Sequence, residues 1–392
     1  QQRRSDPEPR HLDLPGHLSE LGCHFERWVA GLTIQSRFRS IYARIISPKP
    51  VIKLVGIASN EAAYIPSWVF HHFRIGVDII EIYINNTDDN SLKICRKIRK
   101  SHKNFNFSKA DQLLKECMQD GRSFQIAAYN DSLEKSKKGL DNASHILALD
   151  LDEYLTPSNL SSNLKKLLRR HPTLDAISFL WYSDDYNYIG PPFQFHYQPI
   201  TAIYRLDHVK TLAKITNKLK SCSHHNFIFE SGEHPSIGLG GLKDAKLSDE
   251  INTTSNCSKI NTSFLNTLDA SSTEPWFVLH QIYRSEEEYL ASLCRGRRHN
   301  NDSRPLKINR WGRSPYPWYK SSPIKIAFRH QDLNKYKKAF LRFTTKCGIG
   351  KQIKIAQALI RGKTTLLDMT LSNNSALITE FKQVFKGTRY GR

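Results

Sequence analysis

The stretch "SHILALDLDEYLTP", residues 144–157, carries an apolar run, Ile146–Leu149, straight into Asp150-Leu151-Asp152-Glu153. An unbroken apolar run is what a strand buried on both faces of a parallel sheet shows. Carboxylates at the end of such a strand cost free energy unless something compensates. Two compensations are common. One is a divalent cation shared with substrate phosphate oxygens; the other is solvent at the sheet edge. The Asp150-x-Asp152 pair alone does not choose between them.

Upstream, "VIKLVGIA", 51–58, is a second apolar run of the same kind. Asn60 stands where a helix cap is expected. Ile65, Trp68, Val69, His72 and Phe73 then recur at helical spacing, and Gly76 ends the helix. "DIIEIYI", 78–84, reads as the next strand, and "NNTDDNS" as the polar loop beyond it. Strand, helix and strand make a βαβ unit whose right-handed crossover places both strand C-termini on one edge, where α/β folds bind ligands. Further helices are expected over Ser91–Lys100 and Ser123–Lys137. Further strands are expected at His145–Leu149, at "DAISFLWY" (175–182), around 193–204 and 224–230, and at "WFVLHQIY" (276–283). "SEEEYLASLC" after the last opens like a capped helix. The fold class is therefore α/β, in three regions: an extension over 1–50 with one helix around Leu18–Ile46, an α/β domain over 51–300, and a basic, mostly helical region over 301–392.

The 392 residues are 39% hydrophobic, enough for a sizeable core, and carry a net charge of +21. From Pro305 onward there are 19 basic and three acidic residues, so most of that charge sits there. Such a chain is drawn to polyanions. No RRM, KH, helix-turn-helix or zinc signature accompanies the charge, so nucleic acid is not the expected partner. Basic residues near Trp311, Tyr316, Trp318 and Tyr319 suit a peripheral contact with an anionic membrane or an acidic substrate. The seven cysteines lack metal spacing and read as reduced thiols in a cytosol. No window reaches the roughly 18–20 apolar residues of a bilayer span, and no signal peptide is visible. The expected location is cytoplasmic, with the inner face of a membrane as the surface of contact.

Two enzyme classes end a strand in D-x-D. Haloacid-dehalogenase-type phosphatases use DxDx[TV] with the first Asp as nucleophile, but here Tyr154 takes the Thr or Val place and the motif comes late in the chain. GT-A glycosyltransferases place it after a nucleotide-binding half, as here. The segment "IASNEAAYIPSWVFHHFRIGVDIIEIYINNTDD", 57–89, resembles the opening block of family-2-like glycosyltransferases related to glycosyltransferase family 92. Gln125, Tyr129 and Asn130 match that family's Q…AYN segment. Asp150, Asp152, Glu153, Tyr154 and Leu155 match its DxDE block, and "HQIYRSEEEYLASLCRGR" from His280 matches its last one. The blocks keep their order over residues 51–300. Departures are Ser59, Ile84, Gln281 and Arg284 at family positions, and "SDDYNYIG" (183–190) where the acceptor-facing stretch belongs.

The resemblance implies a GT-A fold with a mixed central sheet and a metal-dependent, inverting transfer of sugar from a nucleotide-sugar, most simply a UDP-sugar, to a glycan or lipid-linked acceptor. It implies Mn²⁺ or Mg²⁺ on Asp150, Asp152 and His280, and donor contacts from Asn60, Glu61, Asp89, Asp150, Arg284 and Arg295. Inversion needs a base for the acceptor hydroxyl, and Asp184 or Asp185, after the strand that follows D-x-D, are the candidates. Each has a plain alternative: Glu61 as a first-turn acid favoured by the helix dipole, Asp89 as a loop acid, His280 as a core histidine, "SDDYN" as a turn. A phosphatase or nucleotidase, or a basic nucleic-acid-binding protein, are the other readings of the whole.

Overall fold

Both apolar runs form adjacent parallel strands. The computed structural model describes residues 49–392 except 189, 196, 232–235, 241–250, 253–258, 261, 270, 295–305, 308–309, 316–321 and 392. The expected N-terminal helix, Arg295, Tyr316, Trp318 and Tyr319 lie outside the described residues. The strands are β1 (Ile52–Ala58), β2 (Ile79–Ile84), β3 (Phe105–Lys109), β4 (His145–Ala148), β5 (Glu153–Pro157), β6 (Ala176–Asp184), β7 (Ile200–Lys214), β8 (Leu219–Cys222), β9 (Phe227–Phe229), β10 (Ile237–Leu239), β11 (Ile251–Asn252), β12 (Lys259–Ile260), β13 (Trp276–His280) and β14 (Ile324–Ala327). The helices are α1 (Ile65–Ile75), α2 (Ser91–Ser101), α3 (Asp111–Gln119), α4 (Phe124–Lys137), α5 (Leu164–Arg170), α6 (Thr262–Thr267), α7 (Glu286–Leu293), α8 (His330–Cys347), α9 (Gly350–Asn373), α10 (Ala376–Glu380) and α11 (Lys382–Phe385).

The fold is α/β with a mixed central sheet in the order β3-β2-β1-β4-β7-β6-β13-β5. β1 pairs in parallel with β2 on one side and β4 on the other. The strand order therefore reverses at β1, the point where open α/β sheets bind ligands beyond the strand C-termini. β7 lies antiparallel between β4 and β6, and β13 runs parallel to β6. The C-terminal ends of β1, β4, β6 and β13 thus share one edge. The acidic residues occupy a tight turn there: the Glu153 N–H donates to the Asp150 carbonyl at 3.0 Å, and β5 returns antiparallel to β13.

Two local features differ from expectation. Asn60 is not the cap of α1, which starts at Ile65 with Pro66 in its first turn. Asn60 instead takes a left-handed conformation, φ 56°, and its Oδ1 accepts the N–H groups of Asp88 and Asp89 at 2.8 and 3.2 Å. The side chain that would cap a helix ties two loops together. At Gly56, an added Cβ would come within 3.0 Å of the Trp68 ring and 3.1 Å of the Leu149 carbonyl oxygen. The glycine lets α1 lie directly on β1.

The region after 300 joins the same core. Leu333, Tyr336, Phe343, Ile349 and Ala356 of α8, α9 and their connection belong to the cluster that contains Phe70 and the sheet interior. Tyr289, Leu290 and Leu293 of α7 pack with Leu367 and Leu371 of α9 in a smaller cluster. Among the described residues no helix is long and apolar enough to cross a membrane.

Candidate active site

The acidic turn is held from two sides. Asp150 Oδ1 accepts from Gln125 Nε2 at 2.7 Å and from the Tyr129 hydroxyl at 3.0 Å, both on α4. Its other oxygen lies 3.8 Å from Lys210 Nζ of β7. Lys210 is buried and pairs more closely, at 3.2 Å, with Glu153. Glu153 Oε2 accepts the Asp150 N–H at 3.0 Å, whereas Oε1 is buried and has no hydrogen-bond partner among the described residues. Burial pushes the Glu153 carboxyl up to about 7, with Lys210 pulling it down and Asp150 pushing it further up. From beneath, the Trp68 indole N–H reaches the carbonyls of Asp150 and Glu153 at 3.0 and 2.9 Å.

α1 adds a second fastening. His72 Nδ1 faces the Trp68 carbonyl at 2.8 Å and its Nε2 accepts the Leu155 N–H at 3.3 Å. His71 Nε2 faces the Leu155 carbonyl at 2.8 Å and its Nδ1 meets the Tyr336 hydroxyl at 2.9 Å. These partners require opposite tautomers of two neutral rings, both reading the N–H and C=O of one residue just past the turn. Burial lowers both histidines, His71 to about 4.

Asp152 faces the other way, 3.5 Å from His280 Nε2 at the end of β13 and 3.7 Å from the Arg310 guanidinium. Burial opposes its charge, but His280, Arg310 and Arg284 together hold its carboxyl well below the usual range. His280 is raised in turn: burial lowers it, and Asp152 more than offsets that. Its Nδ1 is buried without a hydrogen-bond partner among the described residues.

The loop after β13 aims Arg284. That residue has φ 48°, a conformation that persists only where surroundings over-determine it. Asp184 supplies part of that constraint, accepting the N–H groups of Tyr283 and Arg284 at 3.0 and 2.6 Å. Arg313 donates to the carbonyls of the same two residues at 3.1 and 3.0 Å. The Arg284 guanidinium carbon stacks 3.6 Å over the Tyr64 ring. The Asp184 carboxyl is raised by burial, which its two amide donors only partly offset. Asp185 accepts from the Asn187 N–H at 2.9 Å and is half-buried.

The remaining candidates sit beside β1 and β2. Asp89 accepts the Ala62 N–H at 2.9 Å and the Ser91 N–H at 2.9 Å, so it braces the loop that carries Glu61. Glu61 is buried within electrostatic reach of Arg284. The structure thus brings together Asp150, Asp152, Glu61, His280 and Arg284 at one edge, with Asn60 and Asp89 as braces.

Several residues here gave no sequence signal of function. Lys210 and Arg310 complete the charge set. Trp181 has the rings of His280, His225 and His208 around it at 4.5, 4.9 and 5.3 Å. The buried Trp181 Nε1 and His225 Nδ1 have no hydrogen-bond partner among the described residues. A run of "WY" and "SHH" in apolar context is their only trace in the sequence. Next to Arg284 lies a cavity of about 390 Å³, lined by Asp184, Asp185, Tyr64, Phe193, Phe195 and Phe340 among others.

Among the described residues no three His, Cys, Asp or Glu side chains gather tightly enough to hold a metal ion between them. Mg²⁺ and Mn²⁺ commonly take one or two carboxylates and complete their shell with water and phosphate oxygens. Asp152 and His280 offer an oxygen and a nitrogen donor side by side, and Asp150 keeps one oxygen clear of Gln125 and Tyr129. This donor set fits such an ion. No protein-family model matches the chain, and no curated protein matches it either.

Proposed function

We propose that the chain is a metal-dependent glycosyltransferase that uses a nucleotide-sugar donor, a UDP-sugar in the simplest case, and a glycan or lipid-linked acceptor. The observation that carries this reading is the convergence of Glu61, the Asp150–Glu153 turn, His280 and Arg284 on one sheet edge beside the β1/β4 reversal. The mixed sheet and the four ordered sequence blocks support the GT-A form of it.

In this reading Asp150, Asp152 and His280 would hold Mn²⁺ or Mg²⁺ together with water and phosphate oxygens, and the ion would supply positive charge beside the diphosphate. Arg284 and Arg310 supply fixed guanidinium donors for phosphate oxygens, with planar forks suited to bidentate contact. Arg284 is already immobilised by its loop and by Tyr64, so little rotamer freedom is lost on binding. Arg295, placed with them on the family pattern, belongs to the same proposal. Asp89 and Asn60 keep the Glu61 loop in place for donor contacts.

The cavity beside Arg284 is the acceptor room. Asp185 lines it and takes the acceptor proton; Asp184, with its oxygens committed to two amides, is the poorer base. The cytoplasmic side of a membrane is the proposed place of action.

The test is a sugar-nucleotide panel with Mn²⁺ supplied or chelated, read as binding and as slow donor hydrolysis, in wild type and Asp152→Asn. Metal-dependent hydrolysis of one donor, abolished in a folded Asp152→Asn protein, is the expected result. Hydrolysis of simple phosphate esters with no use of any sugar nucleotide would replace the transferase with a phosphatase.

A further inference from the structure

The longest helix among the described residues, α9, carries apolar residues on two sides. Ala356, Thr364, Leu367 and Leu371 turn inward to the core. Ile355, Leu359, Leu366 and Met369 stand on the other side, 39, 44, 64 and 60% exposed. Their spacing, with Gly362 between, is alternately four and three residues, which keeps them on one stripe of a helix with 3.6 residues per turn. At about 100° per residue the stripe is centred roughly 135° around the axis from the four inward residues, and Leu366 and Met369 at 64 and 60% exposure face solvent. Leu341 of α8 is also 67% exposed. Soluble proteins scatter single exposed apolar residues, but a continuous stripe of them marks a contact surface.

The charge around the stripe selects what it contacts. Residues 330–373 contain nine Lys and Arg against two Asp. Both acids are already paired, Asp332 with Arg329 and Asp368 with Arg389. A second copy of the chain would bring two such cationic surfaces together, at a cost in repulsion. An anionic bilayer offers the opposite charge and an apolar layer just beneath it. A helix with an apolar face and flanking Lys and Arg lies in that interface rather than crossing it. α9 fits the interfacial posture: its 24 residues are long enough to cross a membrane, but it is not apolar enough to do so.

We infer that α8 and α9 form a membrane-docking face, with the Ile355–Met369 stripe seated at the headgroup boundary of an anionic bilayer and the surrounding lysines and arginines on its phosphates. This does not depend on the transferase reading. It also makes topographic sense of the cavity: Phe340 of α8 and Ile353 and Gln357 of α9 line it, so the helices that would rest on lipid also wall the space beside Arg284.

The experiment is flotation of the full chain with vesicles of neutral phosphatidylcholine, or of the same lipid with about a third phosphatidylserine. The variants are Leu366→Asp/Met369→Asp, on the stripe, and Lys351→Glu/Lys354→Glu, exposed beside it; thermal melting verifies that each is folded. Wild type should bind the anionic vesicles at least about tenfold more tightly than the neutral ones, and less tightly as salt rises. Both variants should lose about tenfold or more of that binding with unchanged melting. Binding that survives the stripe variant would overturn the inference, since charge alone would then be enough. So would the absence of vesicle binding at low salt. A wild-type dimer in solution that the stripe variant converts to monomer would overturn it in favour of self-association.

Discussion

Acid should open the His71–His72 fastening of the acidic turn, and the structure sets the size of the effect. Burial holds His71 at about 4 against an ordinary 6.5, with the Leu155 carbonyl pulling weakly the other way. His72 is held well below 6.5 by burial and by His71. For a group whose folded value is depressed, the unfolded chain takes up the proton first. The stability it contributes is complete above 6.5 and is lost as pH falls from there through about 4. For His71 alone the loss is about 2 kcal/mol at pH 5 and about 3 kcal/mol well below pH 4. His72 adds to it in the same direction, because a proton on its Nε2 would face the Leu155 N–H, donor against donor. Urea midpoints should be measured between pH 7.5 and 4.5 for wild type and for His71→Gln/His72→Gln. The variant should begin less stable and show a shallower acid slope, the difference at pH 5 being at least about 2 kcal/mol. Other histidines such as the half-buried His145, also lowered to about 4, persist in both proteins and cancel in the comparison. Equal slopes in the two proteins would refute the neutral, opposite-tautomer clamp.

Three further outcomes are expected. Asp184→Ala strands two amides and should cost about 2–4 kcal/mol of stability by denaturant titration; full activity loss at unchanged stability would instead make Asp184 the base. Tyr129→Phe removes one of the two donors that orient Asp150; on the proposed function it should lower donor hydrolysis about 10–100-fold with stability nearly unchanged. Lys53→Met leaves Glu81 and Asp141, at 3.0 and 2.8 Å from its ammonium, without their buried partner; it should destabilise by about 3–5 kcal/mol in urea without touching the site.

What could be read in the sequence follows from how each strand is covered. β1, β2 and β4 run parallel in the sheet interior, so their burial appears directly as apolar runs, and the βαβ unit with its acidic edge is legible from them. β7 is not legible over its length, although it separates β4 from β6. It carries Arg205 and Lys210, charges that are buried only because distant residues receive them. Arg205 donates to the Tyr182 hydroxyl and to the carbonyls of Asp269 and Ser272. Lys210 pairs with Glu153. Such a strand looks solvated until its partners are known. The site shows the same division. Asp150, Asp152 and His280 stand out because each ends an apolar run. Arg310 does not, because nothing in "NRWGR" announces that it returns to Asp152. Asp184 looks like a free acid in a turn because the amides that claim it come from Tyr283 and Arg284, about a hundred residues later.

The distribution of charge on this edge bears on how a diphosphate would be received. Lys210 faces Asp150 and Glu153, while His280 and Arg310 face Asp152. Each carboxylate of the turn therefore already has a cation, and none of the cations is an isolated buried charge. Distances of 3.5–3.8 Å at Asp150 and Asp152, against 3.2 Å at Glu153, separate loose pairs from a close one. The loose pairs are the ones a ligand can re-partition. In the proposed function a phosphate oxygen would draw Arg310 away from Asp152, and the carboxylate so released would be open to a divalent ion. The close pair, Lys210 with Glu153, can stay as it is, with Glu153 Oε2 still holding the Asp150 amide. On that proposal Glu153 would keep the turn's shape while Asp150 and Asp152 changed partners, which separates the structural acid from the two exchangeable ones.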